Sequence, residues 1–167
     1  MTQFLPISGT IQQINWHSTD PQQLGCMLNL SIFSREHGPA NLLLSGYTYV
    51  PDGAPLSVGD EVTFFYSASA PVPLIYPPQY QAVAAVPTPP GSSAALDTFT
   101  QHPETGQLSN SDDTLRLNVS DRTVLELPNG QPFGGALSGK LLLVLYSITT
   151  NSIPPQTPPE RIIVFCT

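Results

Sequence analysis

Apolar and polar residues alternate with a period of two along most of the chain. In the run Gly-Cys-Met-Leu-Asn-Leu-Ser-Ile-Phe, residues Cys26, Leu28, Leu30 and Ile32 fall on one face, and Asn29 and Ser31 on the other. Leu115, Leu117 and Val119 alternate in the same way with Arg116 and Asn118. Successive side chains of a strand point to opposite faces, so the pattern predicts half-buried antiparallel strands. Other strand candidates are Ile7–Ile14, Leu42–Val50, Val62–Tyr66, Thr123–Leu127, Lys140–Tyr146 and Arg161–Phe165. No stretch keeps helical apolar spacing over the roughly ten residues that a helix needs. The expected fold class is all-β.

Turn signals separate these runs, and they recur in order. Val50-Pro51-Asp52-Gly53 matches Leu127-Pro128-Asn129-Gly130, where Pro presets one backbone angle and Gly accepts a positive φ. Gly59 matches Gly139, and Phe65-Tyr66-Ser67 matches Leu145-Tyr146-Ser147. Pro77-Pro78-Gln79 matches Pro154-Pro155-Gln156, and an apolar closing strand follows each. Four matches in register indicate an internal duplication. Module one is expected over 1–86 and module two over 97–167, with the Pro/Gly/Ser-rich segment 87–96 as a linker.

About five short strands per module suit two tandem small antiparallel β-barrels, OB-like or SH3-like, because closure removes exposed strand edges. A single Greek-key β-sandwich of the combined strands is the alternative. The run LSVGDEVTFFYSASAPVPLIYPPQYQAVAAV, together with SIPPQTPPERIIVF, resembles an uncharacterised group of small bacterial proteins and domains with tandem OB-like barrels. The resemblance covers most of the chain, and the repeated Pro-Pro-Gln is its most specific part. It implies the fold and carries no activity.

Composition narrows the function. Charged residues make up 10% of the chain and hydrophobic ones 40%, which sets it apart from a disordered tail. The net charge is −7, and the acidic residues outnumber the basic ones on both sides of Val86. Without a basic stripe, nucleic acid is not an expected partner, and an anionic membrane surface would repel the chain. The start, Met-Thr-Gln-Phe-Leu-Pro, lacks the pattern of a signal peptide, and no apolar run reaches membrane-spanning length. A soluble, cytoplasmic protein is expected. Cys26 and Cys166 lie in strand-like runs and are expected as buried thiols.

Candidate chemistry is sparse. Asp52, Asp60 and Glu61 could be imagined as paired carboxylates, but Asp52 sits in a turn with Pro and Gly and Asp60 in a Gly-Asp turn, where Asp is common for backbone reasons, so no catalytic residue is assigned. His17, His37 and His102 show no metal-ligand spacing, and Ser-Asn-Ser-Asp-Asp (109–113) lacks the Gly and Glu of a calcium loop. Neither a metal nor another cofactor is expected. Five of the six tyrosines fall in module one. Tyr76 and Tyr80 flank Pro77-Pro78-Gln79, while Tyr47 and Tyr49, two apart, would share one face of a strand. Pro-Pro is expected as a stiff extended crossover, with Gln closing the end of the barrel. The leading expectation is a non-enzymatic binding or assembly protein with an unidentified protein or small-molecule partner. The alternative is a binder of carbohydrate, peptide or aromatic ligands using Tyr76, Gln79, Tyr80, Tyr47 and Tyr49. Single-stranded nucleic-acid binding ranks third, because OB folds combine aromatic platforms with a positive groove.

Overall fold

The computed structural model describes residues 3–18 and 20–166, so the outer bounds of the two expected modules lie outside the described residues. The first half contains β1 (Phe4–Trp16), β2 (Met27–Ser34), β3 (Gly38–Ser45), β4 (Glu61–Ser67) and β5 (Gln79–Pro87). The second contains β6 (Ser93–Gln101), β7 (Leu108–Asn110), β8 (Arg116–Leu117), β9 (Val124–Glu126), β10 (Lys140–Tyr146), β11 (Gln156–Thr157) and β12 (Arg161–Phe165). The chain divides into two compact units, one spanning Phe4–Pro90 and the other beginning at Gly91. No helix among the described residues is long and apolar enough to cross a membrane.

The first unit is a closed barrel in the order β1-β2-β3-β5-β4. All neighbours are antiparallel except β3 and β5, which run parallel with Asn41 opposite Gln79. The inward alternation packs Ile7, Leu30, Ile32, Leu42, Val62 and Phe64 into one cluster. This is the OB-like arrangement, reached because every strand has one apolar face and closure leaves no edge.

The second unit repeats this path with one interruption. Its sheet runs β11-β8-β7-β6-β10-β12-β9, and β11 and β12 together take the place of β5. β11 pairs parallel with β8, as β5 does with β3, and β12 pairs antiparallel with β10, as β5 does with β4. Pro158 and Pro159 stand between them and have no N–H for the ladder, so the hydrogen-bonded ring expected for this module is broken there. Each half makes its own sheet, in place of one sandwich of the combined strands.

The repeated Pro-Pro-Gln marks where the closing strand docks. The Asn41 N–H donates to the Pro78 carbonyl at 2.9 Å, and the Arg116 N–H donates to the Pro155 carbonyl at 3.0 Å. Proline loses nothing there, because the docking contact uses its carbonyl. The Tyr76–Pro77 and Ile153–Pro154 peptide bonds are both cis.

A second repeated device is not visible as a sequence motif. In the Ser45–Thr48 turn, the Thr48 N–H donates to the Ser45 carbonyl, and the Ser45 N–H donates to Thr48 Oγ1. Thr48 Oγ1 then donates to the Ala82 carbonyl of β5 at 2.8 Å. Ser120–Thr123 makes the same bonds, and Thr123 Oγ1 donates to the Pro159 carbonyl at 2.8 Å. The next residue in each case bridges in parallel to the closing strand, Tyr49 to Ala84 and Val124 to Arg161. Each threonine therefore ties the turn after the third strand to the strand that closes the unit. Thr48→Val and Thr123→Val keep the shape and delete the hydroxyl. Each is expected to cost about 1–2 kcal/mol by leaving a carbonyl and an amide without partners. Urea denaturation checks this, and a change below a few tenths would show that the tie is dispensable.

Three expectations need correction. The segment 87–96 is not a free linker: Pro87 ends β5, and Ser93–Leu96 form the start of β6, pairing with the end of β10 from Tyr146 to Leu143. The run Leu42–Val50 is not one strand, because β3 ends at Ser45, where the Thr48 tie turns the chain. Cys26 and Cys166 are exposed, each one residue outside its strand, since β2 starts at Met27 and β12 ends at Phe165.

Candidate functional site

The five residues singled out from the sequence do not form one patch. Tyr47 is 98% exposed on the Ser45–Thr48 turn, whereas Tyr49 is half-buried, its backbone bonded to Val83 and Ala85. The turn separates them, so they do not share a strand face. Tyr76 is 81% exposed on the β4–β5 loop, next to the exposed Leu74 and Ile75. Tyr80 faces inward and stacks on Tyr66, ring centroids 4.3 Å apart, as part of the rim packed on the core. Burial first, and then the adjacent Tyr80, raise the Tyr66 phenol above its ordinary pKa. Tyr80 is therefore a packing residue. In the second unit Thr157 stands in its place, buried, with its hydroxyl donating to the Ile148 carbonyl at 2.6 Å.

Gln79 is different, because it belongs to a surface that the register builds from four strands. Leu30, Ile32 and Leu42 face the core, so the alternate positions of β1, β2, β3 and β5 face outward. Pairing aligns them in two rows. One is Gln13–Ser31–Asn41–Gln79 and the other Asn15–Asn29–Leu43–Gln81. Seven of these eight positions are neutral and polar, and none is charged, on a chain of net charge −7. The Ser31 hydroxyl donates to Asn41 Oδ1 at 3.0 Å. The amides of Gln13, Asn15, Gln79 and Gln81 bond to no other described side chain. Asn29 Oδ1 is buried and has no partner among the described residues. Phe33, the next outward residue of β2, is 48% exposed and pairs with Pro39. Sequence reading found Gln79 but passed over Gln13, Asn15, Asn29, Ser31, Asn41 and Gln81. Their signal was the polar half of the alternation, which becomes a surface only when register aligns the strands.

In the second unit a closed network joins Gln107 just before β7, Asn118 just after β8 and Gln156 on β11. Gln107 Nε2 donates to Asn118 Oδ1 at 2.6 Å and to Gln156 Oε1 at 2.9 Å. Arg116 is paired with Asp113 at 3.0 Å. Those groups satisfy one another, so the first unit holds the open polar face.

Of the carboxylates considered for catalysis, Asp60 and Asp52 lie in turns and Glu61 is the first residue of β4. Asp60 Oδ2 accepts the Ser57 N–H at 2.9 Å, and Asp52 adopts a left-handed φ of 60° beside Gly53. The segment 109–113 folds on itself, with Asn110 Oδ1 accepting the Thr114 and Leu115 amides. No group of His, Cys, Asp or Glu able to hold a metal occurs among the described residues. Hydrogen bonds from Arg116 first, and then from Ser109, hold the Asp113 carboxyl down to about 2 from its ordinary 3.8. A carboxyl depressed by folding favours the folded state fully above its ordinary pKa, and that contribution is lost as pH falls towards about 2. Asp113→Asn should therefore make the thermal midpoint fall less steeply with acid through that window. Parallel pH profiles of the two proteins would contradict the assignment.

A scan against protein-family models matches none of them, and no curated protein shows significant sequence similarity to this chain.

Proposed function

We propose that the protein is a non-enzymatic binding protein built from two β-barrel units, in which the outward β1–β2–β3–β5 face of the first unit holds the ligand. The observation that carries this reading is the pair of uncharged polar rows on four adjoining strands, in which the amides of Gln13, Asn15, Gln79 and Gln81 bond to no other described side chain. Amides that bond to no described side chain can donate and accept toward a ligand without first breaking such bonds. Among the carboxylates nearest to a catalytic pattern, Asp60 is occupied in a turn, which favours binding over turnover. A neutral face on an acidic chain also lacks the positive groove that a nucleic-acid site requires.

Assembly with a protein partner is the second reading. It is favoured by the exposed apolar side chains on both β4–β5-type loops, Leu74, Ile75 and Tyr76 in one and Ile148 and Ile153 in the other. A cytoplasmic setting is proposed with either reading, since two free exposed thiols persist best in a reducing compartment.

NMR titration of the labelled protein with a panel of sugars, short peptides and nucleosides separates the readings. The expected result is a set of shifts centred on Asn29, Ser31, Asn41 and Gln79. Ligands that shift only the 68–78 and 147–155 loops would move the site to the loops. Turnover of ester, glycoside or phosphate substrates, lost in Asp60→Ala or Glu61→Ala, would overturn the non-enzymatic reading.

A further inference from the structure

We infer that the polar face of the first unit is a binding site for a neutral oligosaccharide chain lying across the strands. The inference rests on the proposed binding role and names the ligand class for the same face.

A merely solvated sheet face favours β-branched and aromatic residues, and Asn is depleted in strands. Here Asn15, Asn29 and Asn41 occupy three strands in neighbouring outward positions, joined by Gln13, Gln79 and Gln81. These side chains add little to sheet stability, so their concentration calls for another role. An unpartnered buried Asn29 Oδ1 within the same face is a second, independent sign of incomplete satisfaction.

A sugar hydroxyl both donates and accepts, and so does each Asn or Gln amide. With no charge in either row, an ionic ligand has no counter-charge to meet, and a neutral one loses nothing. Sugars also present apolar C–H faces. The outward Phe33, 48% exposed beside Pro39, borders the row of Ser31 and gives those faces a ring to pack on, whereas Leu43 in the other row is buried.

Four strands at a spacing of about 4.8 Å make each row about 14 Å long, which suits a chain of sugars better than a single one. A peptide added as a strand would need an open sheet edge, and the closed barrel offers none.

The test is affinity electrophoresis of the full chain through native gels containing galactomannan, mixed-linkage β-glucan, xylan or starch, at low and high salt. An array of neutral oligosaccharides completes it. Binding to at least one of these glycans is expected, unchanged by salt. Asn41→Ala, Gln79→Ala and Phe33→Ala should each weaken it about tenfold, or about 1.4 kcal/mol. Gln81→Ala, at an exposed side chain bonded to nothing described, should weaken it without perturbing the fold. Circular dichroism of each variant separates lost contacts from lost structure. No binding to any neutral glycan, or binding indifferent to these substitutions, overturns the inference. If a peptide or nucleoside shifts this face by NMR while no glycan binds, the sugar assignment falls and the binding role stands.

Discussion

Gly9→Ala is expected to destabilise the first unit by about 2–3 kcal/mol, although it adds one methyl group to a half-buried strand position. β1 changes partners here. Its first half pairs with β4 as far as Thr10 opposite Glu61, and from Thr10 onward it pairs with β2, beginning opposite Phe33. At that corner a Cβ on Gly9 would lie 2.8 Å from the Phe33 carbonyl oxygen and 2.9 Å from Ile32 Cδ1. The nearer atom is backbone within a ladder, so relief requires moving β1 away from β2 and opening the barrel. Glycine in a strand interior commonly marks such close approach at a barrel corner. Trp16, the single tryptophan, lies at the end of the same strand and supplies the fluorescence readout for urea unfolding. A midpoint unchanged from the parent would show that the corner has room to spare.

The second large effect is expected in the other unit, from Arg161→Met. Arg161 on β12 pairs with the Glu126 carboxylate of β9, their side chains 22% and 13% exposed. Removing the cation leaves a mostly buried carboxylate without its charge partner, which is far costlier than never having had the pair. The expected loss is about 2–3 kcal/mol, below the full figure for deeply buried pairs because both groups keep some water. The double variant Arg161→Met/Glu126→Leu should recover most of it, since an apolar pair replaces an ionic one without an orphan charge. Thermal unfolding followed by circular dichroism measures both. A double variant no better than the single one would place the cost in lost packing of the arginine stem.

Legibility varied with the kind of information each feature needs. The strands Lys140–Tyr146 and Arg161–Phe165 match the expected ranges at both ends, because a short continuous apolar run between turn signals is a local property of the chain. Ser93–Leu96 reads as linker by composition, since Ser and Ala carry little apolar signal. It becomes strand through pairing with β10, a contact made far along the chain. Tyr47 and Tyr49 have strand-forming side chains, yet the Thr48 hydroxyl bond to Ala82 converts their segment into a turn and a bridge. Tyr80 looked available beside Pro-Pro-Gln, and a stack on Tyr66 takes it into the core rim.

Alternation, turn residues and the doubled Pro-Pro-Gln by themselves determined that this chain is all-β and that its second half retraces its first. Those features act through nearest neighbours, so spacing alone expresses them. The partner switch at Gly9, the Glu126–Arg161 pair and the break at Pro158-Pro159 were decided by which strands meet and in what register. So was the amide face. Asn29, Asn41 and Gln79 are scattered in the chain, and only a closed barrel in this strand order sets them side by side.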